Sequence, residues 1–205
     1  MTESLDYQIF RAINGFAGRS EALDTVMIGC AKYLPIIFAL ALVGLWLSWK
    51  LGNQRAAFLA AASALIALGF GQLVGIAFPR PRPYLSHSVN LLIGRSADTS
   101  FPSDHATLGF AVAVLIWRFN RPTGIALLLL AIILAFSRVF VGAHYPGDVL
   151  GGAVLGTGTS LAIAALSQSP PLQHWLDRGF ESLTRLRLSA QPASPIDDVE
   201  RRSMR

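Results

Sequence analysis

Between Ser137 and Asp148 the chain reads Ser-Arg-Val-Phe-Val-Gly-Ala-His-Tyr-Pro-Gly-Asp. A serine, a guanidinium, an imidazole and a carboxylate thus fall within a dozen residues, where one long apolar segment ends and another begins. Ionisable groups at such a boundary are costly unless they are paired or face a wet cavity, so the stretch reads as half of an active site. Two further stretches carry chemistry. Phe78-Pro-Arg-Pro-Arg-Pro-Tyr84 stops a helix and stiffens the chain, projecting Arg80 and Arg82 from a rigid strut. Pro102-Ser103-Asp104-His105 opens the next apolar segment.

These residue types suit phosphoryl transfer. Guanidiniums bind phosphate oxygens bidentately and hold charge through the transition state; Arg82 and Arg138, with Arg80, form such a clamp. Ser103 stands where a helix N-cap belongs, so its hydroxyl and the free amides of the first turn make an anion site. Two histidines, His105 and His144, allow one nucleophile on phosphorus and one general acid on the leaving oxygen. Asp148, four residues beyond His144, is placed to accept from the ring N–H and fix its tautomer.

The elements that must position these groups are membrane helices. Hydrophobic residues make up 53% of the 205 and charged residues 14%, against about 25% charged in soluble domains. The fold expected is an all-α integral membrane bundle of about five spans plus an N-terminal amphipathic helix, with no room for a second folded domain. The apolar stretches run over 33–49, 56–77, 105–117, 124–140 and 149–166. The third is short, about 20 Å if helical, which sinks its polar start, Phe101 to His105, below the membrane surface.

The first thirty residues lack the basic start and apolar core of a cleavable signal. Leu5, Ile9, Ile13 and Phe16 recur at helical spacing, which fits a helix lying on the membrane surface or one packed on the bundle. Residues 1–30 are therefore read as an amphipathic N-terminal segment, 31–168 as the transmembrane catalytic domain and 169–205 as a cytoplasmic tail, amphipathic and then disordered. Ten of the 17 Lys and Arg residues lie in the short hairpins and the tail. By the positive-inside rule those face the cytoplasm, and the three motifs face outward.

The net charge of +5 comes with no basic stripe interleaved with aromatics, so nucleic acid is not the partner. The lone Cys30 leaves no internal disulfide and no thiolate cluster. His87 and His174 read as surface residues, Arg95 and Asp98 as solvated loop residues, and Gly151, Gly152, Gly156 and Gly158 as close-packing positions between helices. A transporter is the rival of another class, but the ionisable residues cluster at one membrane face and leave mid-span positions nearly uncharged. A metal held by His105, His144 and Asp148 is a second rival; its arginine neighbours favour an anion instead.

The three motifs resemble the signature of the type 2 phosphatidic acid phosphatase superfamily, integral membrane lipid phosphatases related to vanadium haloperoxidases. The third motif is complete in Ser137, Arg138, Gly142, His144 and Asp148. The second matches at Pro102, Ser103 and His105, with Asp104 in a glycine position. The first keeps Arg82-Pro83, while Gly75 stands where the family has a lysine. The resemblance implies His144 as the nucleophile forming a phosphohistidine, Asp148 as its partner, and His105 as leaving-group acid. It implies Arg82, Ser103 and Arg138 as phosphate ligands, with Arg80 standing in for the lysine and Asp104 beside them, and no metal or cofactor. The variants Pro-Arg-Pro, Phe-Pro-Ser-Asp-His-Ala-Thr and His-Tyr-Pro-Gly-Asp, with Phe10-Arg-Ala-Ile-Asn-Gly, look most like bacterial undecaprenyl-diphosphate phosphatases of this superfamily. The implied substrate is undecaprenyl diphosphate, a polyprenyl lipid in the inner membrane bilayer, with phosphatidylglycerol phosphate or phosphatidic acid as alternatives.

Overall fold

The computed structural model describes residues 4–190, with side chains as far as Ser182. The described residues form eight helices: α1 (Leu5–Asn14), α2 (Glu21–Leu47), α3 (Leu51–Ala77), α4 (Pro83–Ser86), α5 (Asp104–Phe119), α6 (Arg121–Phe140), α7 (Pro146–Leu166) and α8 (Pro170–Ala190). They contain no strand.

Local sequence sets the ends. Ser4 and Ser20 accept from the backbone N–H groups of Tyr7 and Leu23, capping α1 and α2. Asn120 does the same for Thr123 at the start of α6, where Pro122 occupies a first-turn position that needs no N–H. α3 stops just before Pro79 and Pro81, which cannot continue a helix.

Four helices, α2, α3, α6 and α7, are long and apolar enough to cross a membrane. The fifth expected span is α5, whose 16 residues amount to about 24 Å against a hydrocarbon core of about 30 Å. It is the centre of the bundle, packed against α3, α6 and α7, and Ala111 to Ile116 are all buried. Large apolar side chains instead point outward from its neighbours, among them Leu40 on α2, Leu73 on α3, Ile132 on α6 and Val154 on α7, as a lipid-facing surface requires. α2 starts at Glu21, twelve residues before the apolar stretch that announced it, so the boundary expected at residue 30 falls inside one continuous helix.

α5 and α7 approach closely because α7 carries small residues on the shared face. A Cβ on Gly152 would lie 2.6 Å from the Ser103 carbonyl oxygen, and one on Gly156 would lie 2.3 Å from that of Thr107. Ser160 Oγ donates to the Ala111 carbonyl at 2.6 Å and lies 2.8 Å from Ser63 Oγ, tying α3, α5 and α7 together. Gly158, expected on this face, has nothing within 4 Å of its Cβ position.

α1 packs on the bundle rather than standing apart from it. Phe10 and Asn14 are buried, Phe10 among Ala106, Ala135, Val139, Tyr145 and Val149. Among the described residues, those up to Leu166 form one compact unit and those from Ser167 a second. In the latter, α8 carries Leu172, Leu176 and Phe180 at helical spacing; the disorder expected in the tail concerns residues outside the described ones.

Candidate active site

After α3 the chain runs through the proline strut, whose three residues per turn send side chains two positions apart in different directions, and Arg80 and Arg82 reach different partners. Arg82 turns inward and is only 5% exposed. Its Nε and Nη2 donate to the backbone oxygen and carboxylate of Asp98, at 3.3 and 2.9 Å. Nη1 donates to the Ala143 carbonyl at 3.2 Å and lies 3.2 Å from His144 Nε2.

Arg80 turns the other way. Its Nη1 donates to Asp148 Oδ1 at 2.7 Å and its Nη2 to Asp6 Oδ2 at 2.5 Å, and its guanidinium lies 4.1 Å from the Tyr145 ring centre. Arg80 does not line the cavity described below. The expectation that it replaces the family's lysine in the phosphate clamp finds no support in this geometry: both ends of its fork are engaged, by Asp148 and Asp6. The lysine position itself is closed, since a Cβ on Gly75 would lie 2.7 Å from Thr99 Oγ1 and 3.2 Å from the Phe101 carbonyl oxygen.

The third motif builds a tight loop out of the end of α6. The Arg138 carbonyl accepts from the N–H groups of both Ala143 and His144, at 3.1 and 3.3 Å. Gly142 adopts a left-handed φ of +83°, and a Cβ there would lie 3.0 Å from the Asn90 carbonyl oxygen, so only glycine fits without strain. The loop delivers His144 with 2% exposure.

Its ring Nδ1 is 2.8 Å from the Ser100 carbonyl oxygen and 3.8 Å from Asp148 Oδ2. A carbonyl can only accept, so this contact assigns the proton to Nδ1 and leaves the lone pair on Nε2. The direct acceptor expected at Asp148 is therefore Ser100. Asp148 is fully buried and acts one step back: Oδ2 accepts from Ser100 Oγ at 2.5 Å and Tyr145 N–H at 2.8 Å, and Oδ1 from Arg80. Burial holds the His144 imidazole below its ordinary pKa; Asp148 opposes this, and the positive charges of Arg82 and Arg138 reinforce it. Burial and the two arginines thus favour the uncharged ring.

His144, His105, Arg82 and Arg138 meet at a cavity of about 110 Å³, whose wall also carries Gln72, Asp98 and Asp104. Arg138 Nε, on the cavity wall, and the fully buried Ser103 Oγ, which does not line it, have no hydrogen-bond partner in the protein. Ser103 is the N-cap of α5 as expected, and its hydroxyl makes no cap bond. Asp104 receives Gln72 Nε2 at 3.1 Å. Asp98 is an exposed loop residue, as expected, and its carboxylate is also Arg82's partner. Burial pushes its carboxyl up, but the Ser96 hydroxyl and the Arg82 charge outweigh that and hold it below the ordinary range. The rival metal trio is not assembled: both Asp148 oxygens are taken and His144 Nδ1 faces a carbonyl, and among the described residues no His, Cys, Asp and Glu group is arranged to hold a cation.

Residues 56–170, which contain all three motifs, match the PAP2 superfamily model. The chain belongs to the PAP2 superfamily. The undecaprenyl-diphosphatase BcrC of Bacillus subtilis is 34% identical over 74% of this chain and 78% of its own length. The putative undecaprenyl-diphosphatase YbjG of Escherichia coli is 36% identical over 76% and 79%. Among solved structures, that of Aquifex aeolicus LpxE superposes with a TM-score of 0.68 at 23% identity, covering 80% of this chain and 96% of that one; this likeness speaks for the fold. The residues that motif reading of this PAP2 protein missed, Asp6 and Ser100, share one trait: each reaches the site by a contact between distant parts of the chain.

Proposed function

We propose that this multi-pass membrane phosphatase hydrolyses undecaprenyl diphosphate to undecaprenyl phosphate and inorganic phosphate, recycling a lipid carrier for cell-envelope synthesis at the outer face of a bacterial inner membrane. The observation that carries the reading is His144 on the wall of a cavity that Arg82 and Arg138 also line, with Nδ1 held by the Ser100 carbonyl and the lone-pair nitrogen Nε2 beside Arg82 Nη1. The names of the two curated relatives favour the polyprenyl diphosphate over phosphatidylglycerol phosphate or phosphatidic acid.

In this reading the terminal phosphate takes the Arg82 and Arg138 donors, with Ser103 Oγ and the first amides of α5. Nε2 of His144 attacks phosphorus, and the bond from phosphorus to the bridging oxygen breaks. His105 supplies a proton to the departing lipid phosphate and then takes one from the water that cleaves the phosphohistidine. Asp148 stabilises the positive imidazole of the intermediate through the Ser100 link. Every step is served by side chains, so the reaction needs no metal.

Purified protein assayed against undecaprenyl diphosphate, phosphatidylglycerol phosphate and phosphatidic acid, with and without chelator, tests this. Phosphate release from the first, unchanged by chelator, is expected. Release from a glycerolipid alone would move the substrate to the alternative, and no release from any lipid would return the transporter reading.

A further inference from the structure

Asp6, Phe10 and Asn14 stand four residues apart on α1 and so share one face of that helix. All three meet the catalytic loop or the residues flanking it. Asn14 Nδ2 donates to the Phe140 carbonyl at 2.8 Å and to that of Asn90 at 2.9 Å. Phe10 meets the Tyr145 ring edge-on, with ring centres 5.5 Å apart. Asp6 accepts from Gly147 N–H at 2.7 Å through Oδ1 and from Arg80 through Oδ2. α1 lies outside residues 56–170, the part of the chain that the superfamily model matches.

We propose that Asp6 is a positioning residue for His144, acting through Arg80 and Asp148. Asp148 is wholly buried while the Arg80 side chain is about a third exposed, so the guanidinium has an open route away from the carboxylate. Asp6 closes that route by holding the second arm of the fork, and its other oxygen fixes Gly147 at the start of α7. With Arg80 held, Asp148 keeps three donors, and the Ser100 hydroxyl it accepts from belongs to the residue whose carbonyl orients the imidazole. Without Asp6, Arg80 is free to turn toward solvent, Asp148 Oδ1 loses its partner, and the Ser100 to His144 geometry loosens. The substrate pocket is untouched, because neither Asp6 nor Arg80 lines it. The inference rests on the phosphatase reading above.

The test is phosphate release from undecaprenyl diphosphate by the full chain carrying Asp6→Asn, Arg80→Gln, both, or Asp6→Glu. Loss of one hydrogen bond to a charged group predicts a kcat about tenfold lower for Asp6→Asn with KM within about twofold. Because Asp6 acts through Arg80, the double variant should be no slower than Arg80→Gln alone. Asp6→Glu, which keeps the carboxylate, should retain most of the rate. Should Asp6→Asn not fold, Arg80→Lys replaces it, since one ammonium cannot span both carboxylates as the fork does; it should show the same fall in kcat at constant KM. Unchanged kcat in Asp6→Asn, losses that multiply in the double variant, or a loss confined to KM would each overturn the assignment with an active wild type. A wild-type chain that releases no phosphate overturns the phosphatase reading itself and this inference with it.

Discussion

His144 Nδ1 points at the backbone carbonyl of Ser100, 2.8 Å away, so the tautomer of the proposed nucleophile is fixed by a group that no side-chain substitution removes. The neighbouring carboxylate holds the carbonyl's owner instead of the ring. Ser100→Ala should therefore keep the tautomer and lose only the hydroxyl bond to Asp148, lowering kcat by about tenfold. Asp148→Ala leaves Arg80 with Asp6 as its one carboxylate partner and releases both Ser100 and Tyr145, and should cost on the order of a thousandfold. Steady-state kinetics on both variants check the ranking; an unchanged Ser100→Ala beside a crippled Asp148→Ala would restore Asp148 as the direct partner of the ring.

The depressed affinity of His144 for a proton gives a stability signature. In the folded protein its pKa lies below 6.5, so between that value and 6.5 the unfolded chain binds the proton more readily. Stability from this source is present above pH 6.5 and is lost as pH falls through the window. The Tm of the detergent-solubilised wild type should fall more between pH 7.5 and pH 5 than that of His144→Gln. Parallel falls in the two proteins would contradict a neutral buried imidazole.

Gly75 looks like a loss when set beside the family's lysine, but the structure makes it a packing position against Thr99 and Phe101. Gly75→Lys should lower both Tm and activity, since it must displace the segment that carries Ser100. Adding Thr99→Gly to Gly75→Ala should recover part of what the single change loses, because Thr99 Oγ1 is the nearest clash. A more active Gly75→Lys would show that the lysine is accommodated and its charge missed.

The legible and the hidden parts of this molecule divide by range. His144, Asp148, Arg138 and Gly142 lie within eleven residues, and α6 with the loop after it carries them together whatever the rest does. The four helices α2, α3, α6 and α7 follow from apolar length alone, and Ser20 ahead of Glu21 and Asp24 already marks where α2 starts. What stayed hidden depends on which way a side chain leaves the backbone. Arg80 and Arg82 are chemically identical in the sequence, and only the path of the strut decides that one faces the cavity and the other faces Asp6 and Asp148. Asp6 touches Gly147 across 141 positions; no local pattern encodes that pairing, and of the apolar residues at helical spacing in this segment Leu5, Ile9 and Phe16 are exposed.

The orientation expected from the charge asymmetry has its own test. Ser88, exposed in the connection between α4 and α5, and Asn120, between α5 and α6, lie at opposite ends of α5. Cysteine placed at Ser88 should react with an impermeant reagent on intact cells in a Cys30→Ser background, while cysteine at Asn120 should react only after permeabilisation. Reaction at Asn120 alone would turn the protein over and put the cavity on the cytoplasmic side.

The two histidines differ in setting, and that difference separates their roles. His144 is almost wholly buried with a protein-held Nδ1, whereas His105, on the first turn of α5, is half-buried at the cavity wall. If Nε2 of His144 attacks phosphorus, His144→Ala should abolish turnover and any acid-labile phosphoenzyme. His105→Ala should slow hydrolysis of a lipid phosphate ester strongly, by about a hundredfold or more, because its alkoxide leaving group needs the proton. The same variant should lose far less on p-nitrophenyl phosphate, whose leaving group departs unprotonated, and should accumulate phosphohistidine if water activation also fails. Rapid-quench labelling with both substrates decides the matter. Label recovered on His105, or equal losses on the two substrates, would reverse the roles while leaving the phosphatase in place.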